Sequence, residues 1–298
     1  MSPIFNLCPY TLRPLAELTT SREHVFPLAI GGDRGFGVVV DRVSNSKFGD
    51  GLDAKFLNSH VIRALRTKYG IHSSSGPPTW EIKGKTGKTD QPVSVTFDKN
   101  RKKTVKYFKP VTVNAVTGEK IVFGTAEQVN KHSEQIIQSM RKEGYASISV
   151  KGTKVPREPF QLDFSEDMDV IRQGLLKIVF LAAYHFLGDA WLNDPLFPEW
   201  QRALSSDPAD SRKAKIPGAV FQGHRTFKAT QPYEHAIAIF YMPNYGIQSS
   251  LRLFGSDLLS GIFTVSLSRF DLNPLDGEMT ICNAQKRQSV TGAFLSIR

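Results

Sequence analysis

The sequence has very few cysteines. Two occur in 298 residues, Cys8 and Cys282, and they lie near opposite ends of the chain. This number excludes a disulfide framework and suits a protein that folds in a reducing compartment. The N-terminal segment also lacks a basic stretch that leads into an apolar run. We therefore expect no signal peptide and a cytoplasmic location.

Long apolar stretches are missing as well. The longest run, over residues 178–187, is interrupted by His185 and preceded by Lys177. It is too short to cross a bilayer, which takes about 20 apolar residues, and it is typical of a buried helix. We therefore expect no membrane partner. The sequence also shows no repeat of fixed period and no phosphate-cradling loop.

Acidic residues are outnumbered by basic ones. The chain has 28 Asp and Glu against 38 Lys and Arg, which gives a formal net charge of +10. This surplus attracts polyanions and favours nucleic acid or an anionic membrane as the partner. A surface of solvated lysines is the plain alternative. The hydrophobic share of 40% is sufficient for a packed core.

Composition divides the chain into two parts. Residues 71–92 are rich in Ser, Gly, Pro and Lys, which is typical of a linker. We therefore predict a first module over residues 1–72, a linker over 73–92 and a second region over 93–298.

The second region combines long helices with consecutive strands. Thr125 and Gln128 form a capping-box pattern at the start of a helix over 125–143, and an apolar helix is expected over 168–191. Short β-like runs cover residues 93–97, 105–108, 120–123, 235–242, 250–254, 262–267, 278–282 and 293–297. Because no helix separates the later runs, they predict an antiparallel sheet, and the fold class is expected to be α+β.

The stretch over residues 19–53 gathers the side chains that could perform chemistry. Glu23 and His24 are adjacent, and a proline turn and a Gly-Gly break follow them. A β-branched run over 38–40 comes next, and Asn45 opens an amphipathic segment. The pattern predicts strand, loop, strand and helix, which would bring a carboxylate, an imidazole and an amide together.

This order of residues resembles the HNH nuclease family. The ββα-metal unit of that family carries a Glu-His or Asp-His pair on its first strand and Asn or His at its helix. The resemblance implies an N-terminal ββα-metal module in which Glu23 and Asn45 bind a metal, His24 is the general base and Asp53 is an accessory carboxylate. Carboxylate and amide oxygens are hard ligands, so the implied cofactor is Mg²⁺ or Mn²⁺.

Phosphodiester hydrolysis needs an activated water and stabilisation of charge on the phosphate oxygens, which a neutral imidazole and a divalent metal supply. Two features of the sequence bear on this site. Strand alternation puts Glu23 and His24 on opposite faces unless the strand bends. The family residue that orients the histidine corresponds to Phe36, which cannot accept a side-chain hydrogen bond, so a backbone carbonyl would have to orient His24.

Many proteins of this kind also carry a zinc ribbon made of two C-x-x-C pairs. The corresponding residues here read CPYT at 8–11 and DRVS at 41–44. Only the thiolate of Cys8 remains, and Thr and Ser are poor ligands for Zn²⁺. We therefore expect no structural zinc.

The resemblance implies a metal-dependent endonuclease that hydrolyses DNA, with the region after the linker used for recognition or assembly. The basic residues Lys99, Arg101, Lys102 and Lys103 lie between two β-like runs, where they could contact phosphates or form a solvated turn. Two other functions stay open: a catalytically inactive HNH scaffold that binds nucleic acid, and an effector subunit in defence against phage. The sequence also leaves the oligomeric state open.

Overall fold

The chain folds into two compact units. The first unit consists of Met1–Pro78 and Glu166–Arg298, and the second of Thr79–Ser165. Helices and antiparallel sheets occur together, which confirms the predicted α+β class. The computed structural model describes residues 3–72, 76, 78–87, 90–100, 102–108, 111–113, 120–122, 124–144, 160–163, 168–205, 207, 214, 216, 220–221, 231–268, 270, 273 and 276–293.

The first unit begins with a hairpin that is followed directly by helices. Its elements are β1 (Thr20–His24), β2 (Gly37–Asp41), α1 (Arg42–Phe48), α2 (Ala54–Asn58) and α3 (His60–Tyr69). β1 and β2 pair antiparallel in continuous register. Asp41 caps α1, and its side chain accepts the N–H of Ser44. A π-helical turn, Gly49–Asp53, joins α1 to α2.

The second unit is built around a four-stranded antiparallel sheet. Its elements are β3 (Trp80–Thr86), β4 (Pro92–Phe97), β5 (Lys103–Tyr107), β6 (Val111–Val113), β7 (Lys120–Val122), α4 (Ala126–Lys142) and β8 (Phe160–Leu162). The strand order in the sheet is β5-β4-β3-β8, and β6 and β7 form a separate hairpin. α4 begins with the capping box of Thr125 and Gln128, as predicted.

The first unit resumes with a long helix and ends with a sheet. Its remaining elements are α5 (Met168–Leu187), α6 (Asp189–Leu192), α7 (Phe197–Ser205), β9 (Val220–Phe221), β10 (Glu234–Met242), β11 (Gly246–Arg252), β12 (Ser260–Ser266), β13 (Gly277–Asn283) and β14 (Gln288–Ala293). The predicted antiparallel sheet is present, with the order β14-β13-β10-β11-β12-β9. α5 ends four residues earlier than 191, because Gly188 adopts a left-handed conformation with φ of 64°.

α5 lies at the centre of the hydrophobic core. It contacts β2 and α2, which precede it in the sequence, and α7, β10, β11 and β12, which follow it. By length and composition alone it could cross a membrane, but most of it is buried inside the unit, as in the core helix of a soluble protein. The prediction of a buried helix in this part of the chain is confirmed.

The units do not follow the boundaries predicted from composition. The segment over 73–92, predicted to be a linker, contains β3, and residues Thr79–Ser165 are an insertion between two parts of the first unit. The N-terminal module shares its core with the C-terminal sheet, because both pack on α5. Local composition does not report this long-range packing.

The loop of the N-terminal hairpin is fastened to the C-terminal sheet. The Nε2 of His235 donates to the carbonyl of Ile30 at 2.9 Å, and its Nδ1 accepts the N–H of Phe254 at 3.1 Å. Burial lowers the pKa of His235 to about 4, so the ring is neutral when it makes both bonds. Gly31 has φ of 94°, and a Cβ there would lie 2.2 Å from the carbonyl oxygen of Ala284.

A glycine in α5 provides a test of this packing. A Cβ on Gly174 would lie 2.3 Å from a ring carbon of Phe56. We therefore expect Gly174→Ala to lower the free energy of unfolding by about 1–3 kcal/mol, although alanine favours a helix by about 1 kcal/mol in open positions. Urea denaturation measures the change.

Gly49→Ala is the matched control. Gly49 has helical backbone angles (φ −58°, ψ −48°), and no atom lies within 4 Å of an added Cβ. This substitution should raise the free energy of unfolding by roughly 0.5–1 kcal/mol. A higher free energy of unfolding in both Gly174→Ala and Gly49→Ala would contradict the close packing of α5 on α2.

Candidate functional site

The hairpin of β1 and β2 has two different faces. Side chains alternate along a strand, and the register is unbroken over all five residue pairs. Glu23 is buried, whereas Arg22 is exposed and His24 is half-buried. Glu23 therefore lies on the inner face and His24 on the outer face. The strand does not bend to bring the two side chains together.

The outer face surrounds His24 with charged groups. Burial lowers the pKa of His24, and the positive charges of Arg22 and Arg34 lower it further, whereas Asp33 opposes them. The imidazole is consequently neutral near pH 7. A neutral imidazole beside two guanidinium groups can accept a proton from water while the cations attract a phosphate.

The loop between the two strands is held by backbone donors. The carboxylate of Asp33 accepts the N–H of Gly35 and the N–H of Ser289, each at 2.7 Å. Burial raises the pKa of Asp33, but these backbone bonds prevail and hold it below its usual range. The guanidinium of Arg22 donates to the carbonyl of Gly35 at 2.5 Å. Asp33 is thus fixed to β14, and Arg22 is fixed to the loop.

The inner face carries a buried ion cluster that the sequence did not reveal. The ammonium of Lys177, on α5, lies 3.0 Å from the carboxylate of Glu23 and 2.5 Å from that of Asp53. The Lys177 side chain is only 3% exposed. Burial raises the pKa of Glu23, and the ammonium opposes the rise. The structure therefore brings two predicted site residues together on a third residue from a distant helix.

Asn45 lies on the same side of the hairpin as Glu23. Its amide nitrogen donates to the hydroxyl of Ser21 at 2.9 Å, and Ser21 is two residues before Glu23 on β1. This bond fastens α1 to β1. The structure therefore places two of the predicted residues, Glu23 and Asn45, on the inner face and separates His24 from them.

The expected Mg²⁺ or Mn²⁺ site does not fit this arrangement. The carboxylate of Glu23 already accepts a hydrogen bond from Lys177, so a divalent ion bound there would have to displace a buried ammonium. In the part of the chain that the structure describes, no group of three or more His, Cys, Asp and Glu side chains is arranged to hold a metal. We derive no catalytic step through a metal.

The four residues at the zinc-ribbon positions are held by hydrogen bonds. The N–H of Asp41 donates to the sulfur of Cys8 at 3.2 Å. The N–H and the hydroxyl of Ser44 both donate to one carboxylate oxygen of Asp41, at 2.8 and 2.7 Å. The hydroxyl of Thr11 accepts the N–H of Arg13 at 3.4 Å. The carboxylate of Asp41 is thus engaged as the cap of α1.

The predicted basic cluster lies at the turn between β4 and β5 in the second unit. Lys99, Lys102 and Lys103 are exposed, and Arg101 lies outside the described residues. The carboxylate of Asp98 accepts the N–H groups of Asn100 and Lys102 at 2.9 and 2.8 Å, which fixes the turn.

The sheet register brings two further lysines of the second unit onto one face of the sheet. Lys83, Ser94 and Lys106 are directly opposite one another on β3, β4 and β5, so their side chains share one face. Both lysines are exposed. On the same face, Glu81 accepts the hydroxyl hydrogen of Ser94 at 2.6 Å. We call the surface formed by Lys83 and Lys106 the lysine face.

Sequence reasoning missed Lys177, Lys83 and Lys106. Lys177 has one visible signal: it is the only charged residue in the part of α5 between Arg172 and His185. A lysine within an apolar helix requires a buried anion as its partner. The two lysines of the sheet become neighbours only once the strand register is known.

Comparison with known proteins does not assign the chain. No protein-family model matches it, and no curated protein or solved structure shows significant similarity to it. The candidate function rests on the geometry of the site and on the resemblance described above.

Because hydrogen bonds hold the residues at the ribbon positions, we expect the stability of the N-terminal module not to depend on zinc. Asp41→Ala removes the cap of α1 and should lower the free energy of unfolding by about 1 kcal/mol. EDTA should leave the melting temperature of the wild-type protein and of this variant unchanged, because hydrogen bonds occupy the ribbon positions. One tightly bound zinc per chain, or a lower melting temperature in EDTA, would contradict this expectation.

Proposed function

We propose that the chain is a nuclease that hydrolyses phosphodiester bonds of DNA at the outer face of the β1–β2 hairpin. The observation that carries the proposal is the position of His24, half-exposed and flanked by the charges of Arg22 and Arg34. The imidazole would take a proton from water, and the hydroxide formed would attack the phosphorus. The guanidinium groups would stabilise charge on the phosphate oxygens. The leaving oxygen would take its proton from solvent.

The net charge of +10 supports a polyanionic substrate. Cys8 and Cys282 are both free and buried, which suits the reducing conditions of the cytoplasm, and we propose that location for the protein. Within the second unit, the lysine face presents exposed ammonium groups to which we assign contacts with the phosphate backbone.

A binding-only scaffold is the second candidate. It is favoured by the separation of Glu23 from His24, since the resemblance implies that the two act together on one phosphate. The inner carboxylate is bound to Lys177 and faces the core. A chain of this kind would bind nucleic acid, alone or as an effector subunit in phage defence, without hydrolysing it.

His24→Ala tests the proposed activity. Because general-base catalysis contributes about 10²–10⁴-fold, plasmid cleavage should fall by at least about 100-fold, while DNA binding and melting temperature stay near wild-type values. Cleavage is measured both in EDTA and with added Mg²⁺ or Mn²⁺.

His72→Ala is the matched control, since this exposed histidine lies outside the hairpin. It should cleave at the wild-type rate. Wild-type cleavage by His24→Ala would refute the assignment of the general base. No cleavage by the wild-type protein under any condition, with DNA binding retained, would establish the binding-only scaffold.

The lysine face generates a separate prediction about binding. Replacing Lys83 and Lys106 with Glu should weaken DNA binding and reduce the slope of log K against log salt by about 1.8, because each lost phosphate contact contributes about 0.9. Fluorescence anisotropy at several salt concentrations gives the slope.

The control for the variant with Lys83 and Lys106 replaced is a second double variant, which carries the same change of charge on α4. Lys131 and Lys142 are exposed on α4, and replacing both with Glu should change the slope much less. If both double variants lose the same DNA affinity and the same amount of slope, the effect is due to net charge and not to the lysine face.

A further inference from the structure

The buried cluster on the inner face has an unusual composition. One ammonium, that of Lys177, lies within hydrogen-bonding distance of two carboxylates, those of Glu23 and Asp53, at 3.0 and 2.5 Å. The Glu23 and Asp53 side chains are 10% and 15% exposed. The ammonium also lies 5.2 Å from the ring centroid of Phe48. The cluster is mostly shielded from solvent, with Asp53 its most exposed member, and it has a formal charge of −1.

The three charged residues come from three separate elements. Glu23 is on β1, Asp53 ends the π-helical turn, and Lys177 is in the middle of α5. Two carboxylates that converge on one buried point are the arrangement of oxygen ligands that hard divalent cations require. A cation is needed at this point in any case, because two unpaired carboxylates in the core would repel each other.

A third buried oxygen lies in the same part of the core. The hydroxyl of Tyr10 is buried, and no hydrogen-bond partner for it occurs among the described residues. The Tyr10 ring packs on that of Phe48 with centroids 4.5 Å apart. Its pKa is raised well above the usual value by burial and by the negative charges of Glu23 and Asp53. Tyr10 and the ammonium of Lys177 thus both lie against the ring of Phe48.

We propose that the ammonium of Lys177 is a tethered cation that occupies a divalent-metal position between Glu23 and Asp53. The chain therefore needs no divalent metal on its inner face, and removal of the lysine side chain turns the cluster into a binding site for Mn²⁺ or Mg²⁺. The ordinary explanation, a structural ion pair, predicts no such gain. The inference does not depend on the proposed hydrolysis, since metal binding is measured without DNA.

The experiment compares the full-length wild-type protein with Lys177→Ala, which removes the ammonium and leaves space beside both carboxylates. Binding of Mn²⁺ is followed by electron paramagnetic resonance, and stability by thermal melting in EDTA and in Mn²⁺. We expect no Mn²⁺ on the inner face of the wild-type protein. Lys177→Ala should melt at a lower temperature in EDTA, bind one Mn²⁺ and recover roughly 5 °C at 100 times its Kd for Mn²⁺.

Lys177→Ala combined with Glu23→Gln is the matched control, because it lacks one of the two carboxylates. Its Mn²⁺ affinity should be at least about tenfold weaker than that of Lys177→Ala. n-Propylammonium, which matches the three carbons and the ammonium that the substitution removes, should raise the melting temperature of Lys177→Ala and compete with Mn²⁺.

Three results would overturn the proposal. The first is a folded Lys177→Ala protein that binds no Mn²⁺. The second is a wild-type protein that binds one Mn²⁺ and loses it on Glu23→Gln substitution. The third applies if Lys177→Ala does not fold in EDTA: the proposal then requires Mn²⁺ or n-propylammonium to restore folding, and failure of both overturns it. Cleavage by the wild-type protein would bear on His24 alone.

Discussion

The fold depends on a helix that has no polar face. α5 is buried around its whole circumference, so every side of it must be covered by another element. The N-terminal hairpin, α2, α7 and the central strands of the six-stranded sheet all pack on it. Segments that are distant in the sequence therefore share one core, and Thr79–Ser165 can fold as a separate insertion between them.

The same helix determines the chemistry of the hairpin. Lys177 is surrounded by apolar neighbours, and a buried ammonium is tolerated only beside anions. Glu23 supplies one anion and must face inward to do so. Because side chains alternate along a strand, the next residue, His24, must then face outward. The buried ammonium thus sets which residue of the Glu-His pair faces solvent, and it separates the carboxylate of Glu23 from the imidazole of His24.

Patterns that extend over a few residues predicted the structure well. The capping box of Thr125 and Gln128, the buried apolar helix and the consecutive C-terminal strands were all visible in the sequence. Contacts between distant residues were not visible. Glu23 and Lys177 are 154 positions apart, so no local pattern joins them. The lysine face depends on strand register, and the insertion depends on two segments packing against one helix.

The two positions where the resemblance implies metals share a physical property. At the ribbon positions the N–H of Asp41 donates to Cys8, and the carboxylate of Asp41 caps α1. On the inner face an ammonium neutralises Glu23. A metal site couples folding to metal concentration, because its binding energy becomes folding energy. Hydrogen bonds and ion pairs within the chain stabilise the fold without making it depend on metal concentration. The hairpin is therefore joined to α1 and to α5 by a hydrogen bond and an ion pair that the chain itself supplies.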